Sequence, residues 1–235
     1  MAATWKLRQN RDGPRLWDWE LGTPPTRDLV SVRQPAADAM SRHAPVRMWS
    51  ATTGDYILLE SGLEYELARS LDRDPSVAWI VAQPAAVTFD DGAVHVPDLL
   101  VEHMDGRVVV WDVRPRERQD ERFHRTAELT AQACREVGWG YEVHAGFAPA
   151  RHLNLLWLGV FRIPPSWPTT ESRRQLLGLA RGGAAVADVL AHDAGDGQLT
   201  ALMWHLIWSG ELVFDLDHAI NAATVLTLAK AETDA

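Results

Sequence analysis

A single cysteine, Cys134, stands among 235 residues. It can form no internal disulfide and no cysteine-rich zinc site, which fits a reducing compartment and leaves helix packing as its expected role. Lysine is scarce too: Lys6 and Lys230 are the two, and every other basic side chain except histidine is arginine. Long apolar runs are missing. Stretches such as Leu155 to Phe161, with Gly159 inside, fall far short of the roughly 18 residues that span a bilayer, so no membrane partner is expected. The opening Met1-Ala-Ala-Thr-Trp-Lys-Leu-Arg has no apolar stretch before Arg11 and Asp12. A secretory signal is therefore not expected, and a cytoplasmic location is.

What remains is an ordinary globular mix, 46% apolar and 23% charged, with a net charge of -9. That balance excludes a uniformly basic protein that coats nucleic acid. The acid is concentrated: residues 51 to 150 hold 18 Asp and Glu against 9 Lys and Arg, while residues 1 to 50 carry 5 against 8. A carboxylate surplus is what a divalent-cation site needs, and equally what a solvated acidic surface looks like.

Three regions follow from the patterning. Residues 1 to 50, rich in Pro and Arg with Trp5, Trp17, Trp19 and Trp49 at no regular period, read as an irregular arm packed on the next domain. Arg27, Arg33, Arg42 and Arg47 give that arm a second reading as a phosphate contact. Residues 51 to 162 read as mixed α/β. Leu63, Leu67 and Leu71 mark a helix that stops before Pro75. Strands are expected at 77–81, 86–89, 94–102 and 108–114, then a helix over 119–137 ended by Gly138, then a strand from Tyr141 to Ala145. A meander followed by a crossover helix suits a sheet with helices on both sides. After the punctuated run Arg162-Ile-Pro-Pro-Ser-Trp-Pro, residues 163 to 235 read as helices at 171–181, 184–193 and 199–209 and strands at 212–216 and 224–228. That is the order of a winged-helix-like domain. Its third helix carries no Arg or Lys, and Trp204, His205 and Trp208 on it read either as core or as an interface.

Chemistry concentrates in one hairpin. If Met104-Asp105-Gly106 is a three-residue loop with Gly106 in its left-handed position, residue 102 pairs with 108, 100 with 110 and 98 with 112. Asp98 then faces Asp112, with Arg114 on the same side. Directly opposed aspartates destabilise a sheet unless something compensates, and a metal cation would. The alternative is a frayed strand end with Asp112 paired to Arg114 or Arg116. Pro97 lacks a ladder donor and marks an edge or a bulge.

The segment His95-Val-Pro97-Asp98, followed by Asp112-Val-Arg114, resembles the PD-(D/E)xK motif of restriction-endonuclease-like nucleases. With Glu60-Ser-Gly-Leu-Glu64, Leu71-Asp-Arg-Asp-Pro75, Gln83-Pro84, Asp112-Val-Arg-Pro115 and Gly138-Trp-Gly-Tyr141, the string is similar to TnsA-like endonuclease subunits of heteromeric transposases over roughly residues 45 to 162. The resemblance implies a restriction-endonuclease-like mixed sheet flanked by helices, with a small winged-helix-like C-terminal domain. It makes Glu64, Asp98 and Asp112 the metal ligands and places Arg114 where the family has lysine, so the catalytic set would be Glu64, Asp98, Asp112 and Arg114. Glu64 also completes a capping box with Ser61, and the two roles can coexist. Glu60 and Glu66 read as surface charges, and His95 as a packed or hydrogen-bonded histidine. Gln83 either orients the site or bonds backbone at the Gln-Pro kink.

The activity so implied is that of a DNA endonuclease dependent on Mg²⁺, with Mn²⁺ as substitute. It would cut the 5' ends of a mobile element in double-stranded DNA beside a DDE-type transposase, with an ATPase regulator as a further partner. Arginine stays protonated and cannot act as a base, so Arg114 would act electrostatically. That departure keeps two alternatives open: an assembly subunit with weak or no catalysis, and another nuclease of the same fold in restriction or repair.

Overall fold

A computed structural model describes residues 3–10, 12–33 and 45–229; Arg42 lies outside them. The chain is mixed α/β and divides into two compact units, residues 1–72 with 76–146 and residues 73–75 with 147–235. Among the described residues no helix is long and apolar enough to cross a membrane.

The first unit begins with strand β1 (Ala3–Leu7), which buries Ala3, Trp5 and Leu7 and exposes the residues between. It is flanked by β2 (Arg15–Leu16) and pairs antiparallel with a later strand, β6 (Ala85–Phe89), Trp5 opposite Val87. The expected irregular arm is therefore corrected: its start is a sheet strand, and its end, β3 (Val46–Ser50), forms a hairpin with β4 (Asp55–Leu59). A five-residue alternation is too short to stand out by periodicity alone. The scattered tryptophans also have a purpose in packing. Trp5, Trp19 and Trp139 meet edge to face with ring centres 5.2–5.8 Å apart, fastening the N-terminal segment to the unit.

Helix α1 (Gly62–Arg73) leads into β5 (Val77–Ala82), β6 (Ala85–Phe89), β7 (Val94–His95), β8 (Leu99–His103) and β9 (Val108–Val113). Helix α2 (Glu121–Glu136) then crosses to β10 (Gly140–His144). Two four-stranded sheets result, ordered β2-β1-β6-β7 and β10-β9-β8-β5. In the second, β10 runs parallel to β9 because a helix joins them, and the other pairs are antiparallel. The hairpin register agrees with the count from its loop: Leu100 faces Val110 and Glu102 faces Val108, with Gly106 at φ +82°.

Both faces of this second sheet are covered, which is why its strands read as near-continuous apolar runs. Leu99 and Val101 pack with Leu67, Ala68 and Leu71 of α1. Leu100, Val108 and Val110 pack on the other face with Ala133 and Cys134 of α2.

The expected strand 94–102 is broken. Val94–His95 belongs to the first sheet and Leu99–His103 to the second, because Pro97 brings no N–H to either ladder. Gln83-Pro84 makes the reverse crossing between β5 and β6. Gln83 is fully buried at φ +42°, and its N–H donates to the Asp98 carbonyl at 2.9 Å. The two crossings are thus tied together.

In the second unit α3 (Pro149–Leu158) and α4 (Thr170–Ala180) precede β11 (Ala184–Ala185), α5 (Val186–Leu190), α6 (Gln198–Trp208), β12 (Leu212–Val213) and β13 (Val225–Leu228). The small sheet is ordered β11-β13-β12. The boundary falls at Gly146 and Phe147 rather than at 162, because Leu155 and Leu158 of α3 join this unit's core. Helix α6 is buried on nearly every side. Trp204 and Trp208 are core residues and His205 Nδ1 lies 2.9 Å from the Phe161 carbonyl, so the interface reading of these three gives way to packing.

Candidate functional site

The four predicted residues come from the start of α1 and the open end of the β8–β9 hairpin, where β8 begins and β9 finishes. Glu64 stands in the first turn of α1, where its N–H donates to Ser61 Oγ at 3.1 Å and its Oε2 accepts the Glu60 N–H at 2.8 Å. Ser61 Oγ also lies 2.8 Å from Oε1. The capping role is therefore formed. Burial raises the Glu64 pKa, opposed by these hydrogen bonds, and the Glu60 charge adds to the rise.

Asp98 sits at the strand break. Its N–H donates to the Trp111 carbonyl at 3.0 Å, and Trp111 is also the ladder partner of Leu99. Two successive residues thus face one, the arrangement of a bulge, and the ladder stops short of the expected Asp98–Asp112 pair. Asp98 Oδ2 accepts the Val113 N–H at 2.6 Å. Burial pushes its pKa well above the ordinary aspartate range, and the neighbouring charges of Asp112 and Glu64 push it further.

Asp112 is buried and turned elsewhere. Strand alternation puts it on the face of Val108 and Val110, the α2 side, whereas Glu64 belongs to the helix that packs on the opposite face. His95 Nε2 lies 2.9 Å from each Asp112 oxygen, and Tyr141 Oη donates to Oδ2 at 2.6 Å. Burial and the Asp112 charge raise the Tyr141 phenol far above its usual range. Asp98 is consequently the common neighbour of two carboxylates that approach from different sides of the sheet.

Arg114 lies one residue beyond β9, exposed, with Nε donating to the Arg118 carbonyl at 2.9 Å. The arginine whose charge bears on both Glu64 and Asp98 is instead Arg33, which pairs with Glu60 at 2.6 Å. Its place in the site had no local signal, because it comes from the segment before β3. Two further arm arginines lie over aromatic rings: Arg47 is 4.4 Å from the Tyr56 centre and Arg27 5.9 Å from that of Trp79. Glu66, expected on the surface, is buried and lies 2.9 Å from His144 Nε2. Its helix position faces β10, which no periodicity count distinguishes from solvent.

Among the described residues no three His, Cys, Asp or Glu side chains are grouped so as to hold a metal ion. The donor chemistry nonetheless fits magnesium at two of the carboxylates. Mg²⁺ keeps several waters and takes one or two carboxylates. Glu64 and Asp98 offer oxygen donors and repel one another, which a cation would relieve. Asp112 has three of its roughly four acceptor positions in use by His95 and Tyr141.

No protein-family model matches this chain, and no curated protein matches it.

Proposed function

We propose that the chain is a TnsA-like, divalent-cation-dependent DNA endonuclease subunit of a heteromeric transposase, with a restriction-endonuclease-like first unit and a winged-helix-like second unit. The observation that carries this reading is Asp98, held at a bulge between two sheets and electrostatically coupled to both Glu64 and Asp112. From α4 onward the second unit runs helix, strand, helix, helix, strand, strand, an order that supports the winged-helix assignment. Helix α6 is buried and carries no Arg or Lys, which disfavours groove reading by that helix.

In this reading Glu64 and Asp98 bind Mg²⁺ or Mn²⁺, and Asp112 fixes the ring of His95 beside them. A bound divalent cation supplies positive charge against the scissile phosphate and acidifies a water. Arg114, always protonated and exposed, contacts a phosphate oxygen rather than removing a proton. The DNA is delivered by a DDE-type transposase, since the chain's net charge of -9 gives it little attraction for phosphate by itself.

A second reading, an assembly subunit with weak or no catalysis, is favoured by the engagement of Asp112 with His95 and Tyr141 and by the turn of Arg114 to the Arg118 carbonyl. A nicking assay on duplexes carrying element ends, with the partner transposase and Mg²⁺ or Mn²⁺, separates the two. Loss of 5'-end cleavage in Asp98→Ala supports the nuclease. Identical products from wild type and variant overturn it.

A further inference from the structure

Arg33 is anchored from two directions onto the carboxylate group. The residue before it, Val32, donates its N–H to the Gln83 carbonyl at 2.9 Å, and Gln83 in turn donates to the Asp98 carbonyl at 2.9 Å. Arg33 itself pairs with Glu60 at 2.6 Å, and the Glu60 N–H is bonded to Glu64 Oε2 at 2.8 Å. The guanidinium is thereby held beside Glu60, whose N–H is bonded to Glu64, and its charge bears on both Glu64 and Asp98. The arrangement is a built one: Gln83 is fully buried and sits at φ +42°, a conformation a non-glycine residue keeps only where its surroundings enforce it.

We propose that Arg33 is the intrinsic counter-cation of the Glu64–Asp98 pair, competing there with a divalent cation. The inference rests on the cation-binding reading of these two residues. Two positive charges at one rim repel, so a divalent ion must displace or tolerate the guanidinium before it gains the full field of the carboxylates. Arginine suits a holding role of this kind, because its fork can bridge oxygens and its charge is independent of pH. The cation would arrive where Arg33 yields, and a phosphate oxygen of DNA is the group to which a displaced guanidinium would turn. Lysine would keep the charge but lose the fork.

The test is Mn²⁺ binding to the full chain, followed by electron paramagnetic resonance of the free ion at low ionic strength, for wild type, Arg33→Gln, Arg33→Lys and Asp98→Asn. Arg33→Gln is expected to bind Mn²⁺ about two- to fivefold more tightly than wild type, the scale of a part-exposed ion pair. Arg33→Lys is expected to stay near wild type and Asp98→Asn to bind much more weakly. If wild type binds Mn²⁺ in an Asp98-dependent way and Arg33→Gln binds no tighter, competition by Arg33 is overturned while the cation site stands. If neither wild type nor Arg33→Gln binds, the cation site fails and the inference fails with it. Should Arg33→Gln not fold, Arg33→Met, which keeps the alkyl stem, takes its place in the same comparison.

Discussion

His95 Nε2 lies 2.9 Å from both carboxylate oxygens of Asp112, bridging β7 of one sheet to β9 of the other. Tyr141, on the neighbouring strand β10, donates to the same carboxylate at 2.6 Å. Asp112 is 2% exposed, so its oxygens rely on these partners in place of water. Tyr141→Phe removes one of them and leaves the ring. The expected cost is about 1–3 kcal/mol in denaturant unfolding, the penalty for under-satisfying a buried polar group. Spectrophotometric titration offers an independent check. Tyr141 should stay protonated when wild type is carried to alkaline pH, because burial and Asp112 both raise it, so Tyr141→Phe should leave the ionising tyrosine signal unchanged.

Asp98 is expected to weaken the fold when ionised. Its folded pKa lies above the unfolded value, so between the two the folded state binds more protons and stability falls as pH rises. The loss begins near the ordinary aspartate value and is complete above the raised folded one. Asp98→Asn keeps an oxygen for the Val113 N–H and removes the charge. It should therefore raise the melting temperature at neutral pH, by roughly 2–4 °C for each kcal/mol of repulsion relieved in a chain of this size. The gain should vanish in acid, below the unfolded pKa. A gain of equal size at all pH values would show that charge is not its origin.

These two residues also mark how far the sequence can be read. The hairpin register followed from one glycine and a loop length, because a left-handed third position admits few alternatives and every later pair is then a matter of counting. The helix over Leu63, Leu67 and Leu71 followed from its stripe, and the Glu64 cap from the Ser61 spacing. The exact place of the bulge did not follow. Pro97 announced that pairing would fail nearby, but which residue would be doubled depends on where β7 leaves for the other sheet, a tertiary fact. Asp98 and Asp112 were thus matched by a count correct up to the last pair. Arg33 was legible as one of four arm arginines able to meet phosphate, but not as a neighbour of Glu64 and Asp98, for a related reason: 31 positions separate it from Glu64, and Gln83 is what brings its segment to Asp98.

In the second unit Asn154 of α3 closes the loop before β13. Its amide donates to the Leu216 and His218 carbonyls at 2.9 and 2.7 Å, and its oxygen accepts the Ile220 N–H at 3.3 Å. The side chain is 4% exposed, and water cannot easily replace it. Asn154→Ala leaves two carbonyls and an N–H short of partners and is expected to destabilise this unit by about 2–3 kcal/mol. Hydrogen exchange should show the loss concentrated over residues 212 to 228, while amides of β8 and β9 keep their protection. Uniform loss across both units would contradict a local clamp.

Glu64 carries two roles that one substitution can separate. As a cap it needs only an oxygen able to accept the Glu60 N–H and to meet the Ser61 hydroxyl. As a cation ligand it needs the negative charge. Glutamine supplies the first and lacks the second, and because burial and the Glu60 charge already raise the Glu64 pKa, losing its charge also relieves repulsion. Glu64→Gln is therefore expected to hold or slightly raise thermal stability while weakening Mn²⁺ binding. Glu64→Ala should lose both, with about 1 kcal/mol of the stability loss coming from the cap. Paired melting curves and Mn²⁺ titrations decide the matter: if Glu64→Gln binds Mn²⁺ as well as wild type does, Glu64 is a helix cap alone, and the cation reading must rest on Asp98 without it.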